Sequence, residues 1–386
     1  MLTKIEAIAV LGCMLLLIVL PSLREQARIL DEWKDARIRN IPNLLGKYGV
    51  DGWLMSQREH AEDVIWWSIK NATDFDAHRR TIILFHNKRS EKLPSPIKWV
   101  DNTGSAWPEL TTTLETLQID INFASGLQVG ELNALQENIF GSWDGQLLNV
   151  PMLGIEYVAT RVDGMLEYYH DLQEIVWATL ERAFLTNTDL QWWFREKMQA
   201  LNVTTWNQPR ISVVVPESFP GWEGTDDHMA YILCTSEGEK DVPEGLKEGD
   251  IVLDYMHLGL TGNEVLTKSL ERMKVENISG QIFCHPIGDW GHDAGAAIGI
   301  TNLPEHVPVL GDLPVLPNTF YGIELYAYHF VAEGNETLRF RLEENAHRSE
   351  EAGKWRFVRG RQERLHIIDP TKRRRHTARP LLIQIQ

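Results

Sequence analysis

The stretch HPIGDWGHDAGAAIG, from His285 to Gly299, sets two histidines seven residues apart among glycines, with a carboxylate next to the second. Further along, Glu324 lies within FYGIELYAY and Glu343 within LRFRLEENA, each flanked by apolar residues. A glutamate in an apolar strand is costly to bury unless it is paired or bound to a cation. The alternative is that each points to solvent from alternate strand positions. Upstream, TDDH at Thr225 to His228 puts Asp226 and Asp227 directly before MAYIL. Taken singly, each of these motifs is equally a polar turn or a hydrogen-bonded structural histidine. Together Asp, His, Glu and Glu form the oxygen-and-nitrogen ligand set that suits Mn, Co, Zn or Fe at a hydrolytic centre.

These residues need a scaffold, and the second half of the chain reads as one. Beyond Trp206 short apolar runs alternate with Gly, Pro and acidic loops, so ISVVV, MAYILC, GQIFC, FYGIELYAYHFV and LRFRLEENA are predicted strands. TGNEVLTKSLERMKVE is predicted as a helix between them, giving a sheet with helices on it. Ahead of these lie two helical stretches, LEYYHDLQEIVWATLERAFL and DLQWWFREKMQAL, the second with Asp189 as N-cap. The first half reads as α/β: a helix over ILDEWKDARIRNIPNLLGKYG, then strand segments VDGWLM and TIILF. LLNVPMLGIEYV is read as a further strand region.

Length and charge limit the rest. A chain of 386 residues is comfortable for two domains. The formal charge of −16 argues against a nucleic-acid partner, because phosphate backbones want a basic face. The basic run KRRR, Lys372 to Arg375, reads as a solvated tail. Lys4 followed by the uncharged run Ala7 to Leu23 fits a secretory signal peptide, with an uncleaved membrane anchor as the alternative. Outside that segment only Cys234 and Cys284 remain, enough for one bridge at most. Four sequons, at Asn71, Asn202, Asn277 and Asn335, are compatible with a glycosylated secretory protein.

The order TDDHMAYIL, CHPIGDWGH, GIELY, RLEENA and closing GRQERLHII resembles the second domain of the creatinase/prolidase/aminopeptidase P superfamily, the pita-bread metallopeptidases. Upstream, ILDEWKDARIRNIPNLLGKYGVDGWLMSQREHAED resembles the start of a creatinase-type N-terminal domain, so the resemblance extends from about Asp31 to Ile368. It implies an α/β (α+β) chain with a creatinase-like domain at 24–165 and a pita-bread domain at 166–369, between the signal or anchor at 1–23 and the basic tail at 370–386. It also implies a two-metal site for a small peptide or amide substrate, one or two divalent ions (Mn, Co or Zn), and a homodimer. By position, His285 matches the metal-binding histidine, Glu324 and Glu343 the two glutamate ligands, and Asp226, in preference to Asp227, the second aspartate. His292 matches the histidine that contacts substrate and steadies the transition state. The sequence departs from the pattern twice. Val215 or Pro216 stands where the first aspartate is expected, and no histidine occurs near TTWNQPRISV, where active relatives carry a substrate-binding one. Asp254, in GDIVLDYMHLGL, imitates the missing motif but reads better as part of a helix. The implied activity is Xaa-Pro-type hydrolysis; the alternative is a binding protein that keeps the pocket.

Overall fold

The computed structural model describes residues 20–88, 93–101, 104–117, 121–122, 129–139, 146–183, 190–205, 243–288, 291–331, 336–349 and 353–359. The expected features at 1–19, at Asp189, at 206–242 (with Asp226, Asp227 and Cys234) and at 360–386 lie outside the described residues. Among the described residues, no helix is long and apolar enough to cross a membrane.

The chain enters on a long helix, α1 (Leu23–Tyr48), capped by the Ser22 hydroxyl and ended by Gly49 in the left-handed region at φ 67°. Then come β1 (Gly52–Arg58), α2 (Val64–Ile69), β2 (Arg80–His86), β3 (Ile97–Val100), α3 (Ala106–Leu117) and β4 (Ile121–Asn122). They are followed by α4 (Val129–Ile139), β5 (Leu147–Leu148) and α5 (Pro151–Ala159). The strands form one sheet in the order β3-β2-β1-β4-β5, antiparallel on the β2 side of β1 and parallel on the β4 side. Both faces are covered. Trp53, Met55, Ile83 and Phe85 pack with α1, α2 and α5, while Leu54, Ile82 and Leu84 pack with α3 and α4. That is why VDGWLM and TIILF read as continuous apolar runs rather than alternating ones.

The expected strand region LLNVPMLGIEYV is corrected here. Only Leu147 and Leu148 pair, and Pro151 opens a helix at its first turn. Proline fits there because its missing N–H has no partner to find within the helix.

A connecting segment leads to α6 (Met165–Ala183) and α7 (Leu190–Ala200). The second sheet follows, with α8 (Pro243–Tyr255), α9 (Gly262–Val275), β6 (Gly280–Ile282), β7 (His285–Gly288), β8 (Gly291–His292), β9 (Phe320–Val331), β10 (Glu336–Ser349) and β11 (Lys354–Phe357). Asp254 is helical, as the sequence indicates. Helix α9 starts at a capping box, Thr261 with Glu264. Every pairing in this sheet is antiparallel, in the order β11-β10-β9-β7-β8 with β6 also on β9. Helices α8 and α9 cover one face, where Val252, Leu266, Ile323 and Leu325 meet in a common core. Cys284 belongs to that core as a buried free thiol rather than half of a bridge. The opposite face carries the site.

Candidate metal centre

Alternation along the strands decides which side chains reach the open face. On β9, Ile323 and Leu325 point into the core, so Glu324 between them points the other way. On β10, Leu342 packs against the same core and Glu343 beside it points out. The register sets Glu343 directly opposite Glu324 and His285 opposite Gly322. Two carboxylates facing each other across a strand pair repel. Glu324 is 3% exposed, so little water softens that repulsion.

His285 faces this pair. Its Nε2 lies 3.5 Å from Glu324 Oε2, at ion-pair rather than hydrogen-bond distance, and Nε2 is buried without a hydrogen-bond partner. Its Nδ1 lies 2.9 Å from the Pro286 carbonyl oxygen. A donated Nδ1–H there leaves the Nε2 lone pair aimed at the carboxylates, the arrangement a metal-ligating imidazole adopts. Burial depresses the basicity of the His285 ring. Glu324 foremost, then the Pro286 carbonyl and Glu343, outweigh it, and the ring holds its proton more tightly than an ordinary histidine. The ring needs room, and Gly322 supplies it: a Cβ there would sit 3.3 Å from His285 Nε2.

The bend between the histidines is a hairpin, with Ile287 paired to His292 and Gly288 to Gly291. The pairing turns His292 back over His285, ring centroids 3.7 Å apart, and leaves His292 exposed. Ligand atoms of His285, His292 and Glu324 all lie within 4.8 Å of one another. Glu343 is not one of these three but stands across the strands from Glu324. The residues described therefore fit a divalent cation: a buried imidazole nitrogen without a hydrogen-bond partner, and two opposed carboxylates that a positive charge would reconcile. Of the expected site residues, the structure brings together His285, His292, Glu324 and Glu343.

Three neighbours were not legible beforehand. Tyr169 of α6 stacks on Phe320 at 4.9 Å between centroids. Burial raises its hydroxyl pKa, and the Glu343 charge raises it further, against a lowering effect from Arg161. Arg161 and Asp293 form a buried ion pair beside His292. For Tyr169 the sequence holds no signal beyond an amphipathic helix. For Asp293 it holds only adjacency to His292.

A mixed sheet covered on both faces, followed by an antiparallel sheet with helices on one face, is the fold of solved pita-bread peptidases. In particular, the chain is similar to the Xaa-Pro dipeptidase from Bacillus anthracis, at 15% identity over 86% of this chain and 99% of that one, with a TM-score of 0.54. It is similar to the dipeptidase PepE from Mycobacterium ulcerans, at 11% identity over 87% of this chain and 98% of that one, TM-score 0.56. It is also similar to the N-terminal domain of the FACT complex subunit SPT16 from chickpea, at 11% identity over 85% and 96%, TM-score 0.51. At these identities the likeness is one of fold. No protein-family model matches the chain, and no curated sequence does.

Proposed function

We propose that the protein is a metal-dependent hydrolase of small peptides or amides, of the Xaa-Pro type. The observation that carries this reading is the buried His285 Nε2, without a hydrogen-bond partner and 3.5 Å from Glu324, one of two opposed glutamates. In it, His285, Glu324, Glu343 and Asp226 hold one or two divalent ions, Mn, Co or Zn. A bound divalent ion supplies Lewis-acid polarisation of a carbonyl and a more acidic water. The chain's own residues do the rest. The Pro286 carbonyl orients His285, and Gly322 leaves space for its ring. His292, exposed above the site, donates a hydrogen bond to the oxygen that gains charge as the scissile carbonyl is attacked. Water adds across the C–N bond, its oxygen to the carbonyl carbon and a proton to the departing nitrogen.

A second reading rests on Val215 or Pro216 standing where the first aspartate ligand is expected: a binding protein that keeps the pocket. The fold likeness to a subunit of the FACT complex is compatible with it. Elemental analysis with Ala-Pro hydrolysis separates the two. Two equivalents of metal and turnover support the hydrolase; neither metal nor turnover supports the binder.

The division into domains at 24–165 and 166–369, a homodimer, and entry to the secretory pathway through 1–23 complete the proposal. The last rests on Lys4 and the Ala7 to Leu23 run. A fusion lacking residues 1–23 that still enters the pathway would overturn it.

A further inference from the structure

His292 stands on a strand of two residues, β8, too short to hold an imbalance of forces by itself. What holds it is the next residue. The Asp293 amide donates to the Pro286 carbonyl at 3.0 Å, and one Asp293 carboxylate oxygen accepts from the Ala294 amide at 2.9 Å. The other oxygen accepts from the Arg161 guanidinium. The carboxylate lies on Gly288 so closely that a Cβ there would be 2.6 Å from its carbon, so the glycine in β7 makes the seat. The two side chains are only 5% and 3% exposed.

Arg161 comes from far away in the chain. It lies between α5, the last helix of the first sheet, and α6, which leads to the second. Its backbone amide donates to the Asn318 carbonyl at 2.8 Å, just before β9. The residue is thus tied by its backbone to one flank of the site strands and by its side chain to the other. Its charge is also felt at Tyr169, beside Glu343.

We propose that Arg161 is a positioning residue for His292: by clamping Asp293 it fixes the hairpin that presents the imidazole. The connection between the two sheets thereby sets where that ring stands. What His292 does when so placed rests on the hydrolase reading; that Arg161 places it does not. Arg161 acts through its ion pair with Asp293, so its loss should leave metal affinity intact.

The test uses the full-length protein with histidine ring carbons labelled, the His292 signal being identified by its loss in His292→Ala. Replacing both partners, Arg161→Leu with Asp293→Leu, removes the charges together and leaves no lone buried ion, so the fold is retained. Should that variant fail to fold, the isosteric Asp293→Asn takes its place. The His292 ring resonance is expected to shift or broaden, to return toward its native position in Arg161→Lys, and calorimetric Mn or Co affinity to stay unchanged. Turnover of Ala-Pro should fall about 100-fold in kcat with KM unchanged, the cost of a catalytic group misplaced by an ångström. A folded variant whose His292 resonance is native overturns the proposal. If the wild type turns nothing over while the resonance still moves, the hydrolase reading falls and the positioning role stands.

Discussion

The two sheets deal with buried charge in opposite ways. Under the first, each buried acid has its cation: Glu131 and Asp101 share Arg80 at 2.8 and 3.2 Å, and Glu156 holds Lys47 at 2.6 Å. Under and on the second, Glu248 of α8 is fully buried with neither oxygen hydrogen-bonded, and Glu324 faces another carboxylate. For Glu324 the reason lies in coverage, whereas Glu248 lies under the covered face and burial keeps it protonated and uncharged. A sheet packed on both faces spends every strand position on the core, and any charge it keeps must be neutralised within the fold. A sheet packed on one face frees alternate positions for polar side chains, and Glu324 and Glu343 stand on two of them.

The largest effects should come from breaking the open face of the second sheet. Glu343→Ala should abolish metal binding, whereas His292→Ala should leave metal bound and lower turnover by about 10²- to 10³-fold, the usual worth of one oxyanion donor. Mn or Co calorimetry on both variants checks this. A His292→Ala protein that loses metal as completely as Glu343→Ala would show that the roles are misassigned. Next comes the first sheet: Glu131→Ala leaves the largely buried Arg80 with Asp101 alone and should cost about 3 kcal/mol in urea unfolding. A loss under about 1 kcal/mol would mean that Asp101 alone suffices.

Glu248 should behave in reverse. Burial pushes its carboxyl from 4.5 up to about 9, so it stays protonated in the folded chain. Below pH 4.5 both folded and unfolded chains hold the proton, and its contribution is intact there. As the pH climbs toward 9 only the unfolded chain ionises, and stability falls. Glu248→Gln should therefore be neutral near pH 4 and stabilising by on the order of 5 kcal/mol at pH 8. Chemical denaturation at the two pH values decides it, and an equal effect at both would rule out the ionisation. The smallest effect sharpens the comparison most. Without metal, Glu343→Gln removes the cross-strand repulsion and should raise stability by about 0.5 kcal/mol, read as a small upward shift in Tm. A decrease would mean that some other charge already reconciles the pair.

Much of the site was legible because its logic is local. The seven-residue spacing of His285 and His292 and the apolar flanks of Glu324 and Glu343 are read straight from short segments, and the ordered resemblance joined them into one candidate site. LLNVPMLGIEYV misled because a short apolar run does not declare its period; Pro151 was the clue to a helix start. The Arg161–Asp293 pair lies 132 residues apart in sequence, and no local pattern announces such a partner. Tyr169 was hidden for the same reason, in a helix whose contacts with the site depend on how the sheet is reached.

The long β9–β10 hairpin has a consequence for how this chain can change over time. Its twelve paired rungs run without a bulge from Phe320–His347 to Val331–Glu336, with both glutamates in mid-ladder. Changes of length within either strand therefore carry a parity. Adding or deleting one residue between the turn and Glu343 would swap Glu343 with Leu342 or Glu344 on the open face and set an outward side chain against the core. Adding two would keep every face and merely slide the acids past each other by two rungs. Even steps should be survivable for the fold and odd ones not, so the lineage of this site can lengthen its turn freely but can edit its strands only in pairs.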